Sequence, residues 1–180
     1  MRELRRIELY RKGVEQLMAP DQYRSLSPEA ILATLRSLPR RYRAELANDP
    51  SIDLEAIARG RGGPSPASLV ATAAGRVSAL ADAVHRAAVL EQPSITVAGD
   101  ATAATTSLDA ALVALDAAVA HAAQVVDALP TEAWGRKARV TGAGLGGEMT
   151  VLELAQECAR EGVERLRELT ALLDRLKPDR

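Results

Sequence analysis

The stretch from Thr150 to Leu176 constrains the fold most, because it joins a helix start to an apolar stripe that stays in helical phase. Thr150 and Glu153 have the spacing T-x-x-E, so the hydroxyl can accept the Glu153 amide while the glutamate reaches back to the Thr150 amide. Beyond that start Val151, Ala155, Cys158, Gly162, Leu166, Leu169, Leu173 and Leu176 recur every three or four residues and share one buried face.

Other segments repeat this logic. Arg2 to Met18 carries a short stripe of Leu4, Ile7, Val14 and Leu17 between charged residues, an amphipathic helix that should dock on something. Ser27 and Pro28 start the next helix, which passes through Ile31, Leu32, Leu35 and Leu38; Pro39 is expected to break or kink it before Arg40 to Leu46 resumes. A short helix is expected from Ile52 to Arg59, then a loop from Gly60 to Pro64. Ser65 and Pro66 open a helix to about Glu91, with Leu69, Ala73, Val77, Leu80, Val84 and Ala87 on one side and Pro93 beyond its end. Ser94 to Thr105 shows no helical period and reads as a crossover loop. Ser107 to Leu129 places Leu108, Leu112, Leu115, Val119, Ala122, Val126 and Leu129 in a near-heptad with Asp109, Asp116 and Asp127 outside. Gly142 to Gly147 reads as a glycine-rich turn.

At 180 residues the chain suits one domain that buries roughly 70% of its unfolded surface. A net charge of −1 gives no global drive toward nucleic acid or anionic membrane, and Arg40, Arg41 and Arg43 form a local basic patch without stacking aromatics. One cysteine excludes an intramolecular disulfide and suits a reducing, cytoplasmic setting. The start MRELRRIELYRK lacks the uninterrupted apolar core of a signal peptide, and no later segment is expected to cross a bilayer. Phe is absent and aromatic content is 2%, so the helices must close on small side chains.

Three pieces, in this order and spacing, resemble the DinB/YfiT family, which includes mycothiol-dependent maleylpyruvate isomerase-like proteins. SPEAILATLRSLPRRYRAEL is similar to its first helix; GGPSPASLVATAAGRV to the start of its second; and LPTEAWGRKARV followed by EMTVLELAQE to the approach to its fourth, with Trp134 in a familiar place. The resemblance implies an all-α, DinB-like four-helix bundle over residues 27–180, with a long crossover between helices two and three. Residues 1–26 are expected to form an extra N-terminal helix and linker. It further implies a metal held by three histidines, one from helix two and two from helix four, and thiol transfer or isomerisation with mycothiol, bacillithiol or glutathione.

The corresponding positions in this chain are Thr72, Glu161 and Arg165. A guanidinium offers no lone pair to a cation, so the expectation is that no metal and no other cofactor is bound. Arg76 lies one turn beyond Thr72, as Arg165 lies one turn beyond Glu161. Glu161 with Arg76 or Arg165 could form an interior ion pair in place of the metal; the other reading is a solvated pair of Glu161 and Arg165. Cys158 on the inward face reads as a small hydrophobe, or as a thiol activated by one of those arginines. His85 and His121 read as helix-flank residues, since neither has ligands at metal spacing. The stretches Gly60 to Pro64 and Gly142 to Gly147 lack the strand before and the Lys-Ser/Thr after that a phosphate loop needs.

Thr72, Arg76, Cys158, Glu161 and Arg165 therefore line the candidate pocket between helices two and four. The leading expectation is a small-molecule-binding protein or metal-independent enzyme working there. The alternatives are a metal-dependent thiol S-transferase with an unrecognised ligand set, and a structural or partner-binding protein. Nucleic acid and membrane are not expected partners; a homodimer is one way to cover the N-terminal stripe.

Overall fold

The computed structural model describes residues 20–47, 64–99 and 107–176. The expected helices at Arg2 to Met18 and Ile52 to Arg59 lie outside these residues. Four long helices carry the described chain: α1 (Pro28–Ala47), α2 (Pro66–Val89), α3 (Leu108–Asp127) and α4 (Val151–Leu176). Their starts follow the sequence rules. The Ser65 hydroxyl accepts the Ser68 amide at 3.1 Å, and that of Ser107 accepts the Ala110 amide at 3.2 Å. At α4 the reciprocal box is complete: Thr150 Oγ1 accepts the Glu153 amide at 3.1 Å and the Glu153 carboxylate accepts the Thr150 amide at 2.7 Å.

Cross-helix contacts fix the directions. Arg36 meets Asp127 and Arg43 meets Asp116, so α1 and α3 run antiparallel. Gln156 donates to the Leu26 carbonyl just before α1, and Tyr42 farther along α1 donates to the Gly162 carbonyl, so α1 and α4 run the same way. Arg76 meets Glu161, whereas Ala88 at the other end of α2 accepts from Arg136, whose carbonyl takes the Val151 amide. Hence α2 and α4 are antiparallel, and the order is up, down, down, up. Running α2 and α3 in the same direction requires a long return between them, and the connection from Leu90 to Ser107 supplies it.

Three expectations need correction. The fold is predominantly helical but not purely so, because β1 (Ser94–Thr96), β2 (Lys137–Gly142) and β3 (Leu145–Thr150) form a small sheet in that order. β1 pairs parallel with β2, Ser94 opposite Arg139, and β2 pairs antiparallel with β3, Gly142 opposite Leu145. Part of the expected crossover loop is thus a strand, and the expected glycine-rich turn is the tip of a hairpin. Ile95, Val97, Ala138 and Val140 point into the core while Thr96, Lys137, Arg139 and Thr141 face out, the period-two pattern of a half-buried sheet.

The second is at Pro39, where the break, one of the two outcomes expected there, does not occur: α1 runs unbroken from Pro28 to Ala47. Leu35, Leu38 and Tyr42 are fully buried on both sides of it, so packing holds the helix through the lost backbone donor. The third concerns apolar length. α2 and α3 are both long and apolar enough, by length and composition, to cross a bilayer. Their inner faces are the bundle core here: Leu69, Ala73, Val77, Leu80, Val84 and Ala87 from α2, and Leu115, Val119, Ala122 and Val126 from α3. Tyr23, in the short 3-10 helix Pro20–Ser25, is also buried, so part of the expected linker belongs to the core.

Candidate functional site

The site is built where α2 and α4 cross beneath the hairpin tip. Glu161 is 5% exposed and Arg76 7%, two of the three buried polar side chains among the described residues. Arg76 Nε donates to Glu161 Oε1 at 3.2 Å and Nη2 to Oε2 at 3.4 Å. The same guanidinium spans to two loops, Nη1 donating to the Ala98 carbonyl at 3.1 Å and Nη2 to the Ala143 carbonyl at 2.9 Å. From its own helix Arg165 Nε donates to Glu161 Oε1 at 3.0 Å, and Arg165 Nη1 to Glu168 Oε2 at 3.0 Å.

Burial pushes the Glu161 carboxyl up, but hydrogen bonds and charge from Arg76 and Arg165 outweigh it and hold the group below the ordinary carboxylate value. It is therefore an anion shared by two cations inside the bundle. Cys158, one turn before Glu161, is fully buried, and its Sγ donates to the Val77 carbonyl at 3.5 Å. Burial, then the Glu161 charge, pushes this thiol up to about 12. That speaks against an arginine-activated thiol, because the charge that acts on it, Glu161, is negative and opposes the thiolate.

Thr72 is half-buried one turn before Arg76. Since α2 and α4 are antiparallel and Arg76 faces Glu161, a turn back on α2 and a turn forward on α4 bring Thr72 opposite Arg165. Of the five residues singled out in the sequence, Arg76, Glu161 and Arg165 are joined by hydrogen bonds, Cys158 packs one turn away against the Val77 carbonyl, and Thr72 is placed only by its helix position. Sequence reasoning missed Ala98 and Ala143, which contribute only backbone oxygens and leave no side-chain signal. It also missed Glu168, whose spacing of three from Arg165 was the available clue.

The tip itself is a tight turn. Ala143 and Gly144 both have positive φ, 55° and 77°, the signature of the two-residue hairpin loops that match strand twist. Gly142, φ 88°, lies so close to Val97 that a Cβ would collide with its carbonyl oxygen. The stretch does follow a strand, contrary to expectation, but it leads into another strand, so the strand-loop-helix context of a phosphate loop is still missing.

The resident metal that the family resemblance implies does not fit these residues. Arg165 cannot ligate, both Glu161 oxygens already accept guanidinium protons, and among the described residues no group of three or more His, Cys, Asp or Glu could hold a metal ion. His85 is exposed, and His121 bonds Asp82 on the surface at 2.9 Å. The basic patch is partly neutralised within the bundle, since Arg43 grips both oxygens of Asp116 at 2.9 and 2.5 Å. A shallow groove of about 560 Å³ opens elsewhere, between α1 and α3 around Pro39, Val119 and Ala123, with Arg36, Asp116 and Asp127 on its walls.

No family model, curated protein or solved structure matches this chain.

Proposed function

We propose that the chain is a DinB-like bundle in which an ion cluster stands in place of the family metal, and that it binds a small molecule at the crossing of α2 and α4. The observation that carries the reading is the shared Glu161 carboxylate between Arg76 and Arg165. Burying an ion pair gives little or no stability over a well-packed apolar pair, so the two buried charges of Arg76 and Glu161, with the half-buried Arg165 beside them, call for a task beyond packing. The up, down, down, up order with a long return between α2 and α3 is the shape the resemblance implies and supports it. Binding is favoured over metal-independent catalysis because Cys158, the one thiol, is buried and held protonated. A cytoplasmic setting belongs to the same proposal.

Small-molecule screening by amide-resolved NMR tests this reading. Hits should shift residues around Thr72, Arg76 and Arg165; hits confined to the groove between α1 and α3 would overturn it. Elemental analysis of untagged protein addresses the thiol S-transferase alternative. About one tightly held transition metal per chain would replace the binding proposal with that one.

A second reading, a structural or partner-binding protein, is favoured by the outer face of α3. Ala110, Val113, Ala114, Ala117 and Ala120 are all exposed there, Val113 at 68%. Light scattering of wild type and Val113→Glu decides whether this face joins two copies. A dimer that the variant dissociates supports the second reading, and a monomer in both removes its homodimer form.

A further inference from the structure

We draw no further inference here: the strongest candidate, the shallow groove between α1 and α3 lined by Pro39, Val119 and Ala123, is walled by charges already paired within the bundle, Asp127 with Arg36 and Asp116 with Arg43, and nothing in the structure shows what covers it.

Discussion

Arg76 engages both carboxylate oxygens of Glu161 across the α2–α4 interface, and with its remaining donors it holds the carbonyls of Ala98 and Ala143. One side chain therefore ties two helices to the loop after β1 and to the hairpin tip. Removing the acid alone strands a buried cation, so Glu161→Gln should lower stability by roughly 3 to 5 kcal/mol in denaturant melts. A loss of about 0.5 kcal/mol or less would mean that the pair is not interior in solution.

The same pair has a pH signature. Because the folded Glu161 sits below its ordinary 4.5, its contribution is fully present above that value and is lost as pH falls toward the depressed folded value. Wild type should then lose stability more steeply below about pH 4.5 than Glu161→Gln does. Urea midpoints of both proteins between neutral pH and about pH 3 read this directly; parallel curves would contradict it.

Replacing both partners should hurt less than replacing one. In Arg76→Met with Glu161→Leu no buried charge is left alone, so the double variant should recover at least half of the loss seen in Glu161→Gln. Losses that simply add would instead show that the cost lies in the freed carbonyls of Ala98 and Ala143.

The hairpin tip separates conformational strain from collision. Ala143→Gly relieves a left-handed alanine and should stabilise by about 1 kcal/mol. Gly144→Ala should cost about 1 kcal/mol, since its φ is positive but nothing lies within 4 Å of the new Cβ. Gly142→Ala should cost more than that, because its Cβ also meets the Val97 carbonyl. Thermal melts that rank Gly144→Ala as the more damaging of the two would refute the turn geometry.

Cys158 should resist a disulfide reagent such as Ellman's in native protein at pH 8 and react fully once unfolded. Burial and a thiol held up at about 12 leave almost no accessible thiolate. Prompt stoichiometric labelling of the folded protein would restore a reactive role for it.

Local rules and periodicity carried the helices. Ser65, Ser107 and Thr150 cap where their spacing places them, and the apolar stripes of α2 and α4 became core, because a hydroxyl within reach of orphan amides and a 3.6-residue period need only nearby sequence. The strands were harder to read. K-A-R-V-T-G alternates correctly, but its partner strand is rich in glycine and β1 has three residues, too little for a period to rise above loop composition.

Helical spacing also put Arg76 and Arg165 one turn from Thr72 and Glu161, and so named the members of the cluster. It left open whether Glu161 faced solvent or interior. That was decided by tertiary structure, because α4 is covered by α1, α2 and the 3-10 helix and its buried face is wider than its apolar stripe. Pro39 makes the same point: its ring forbids a backbone bond wherever it stands, but only the packing of Leu35, Leu38 and Tyr42 determines that the helix continues through it. What a residue can do is local chemistry, and which partner it meets depends on elements far away in sequence.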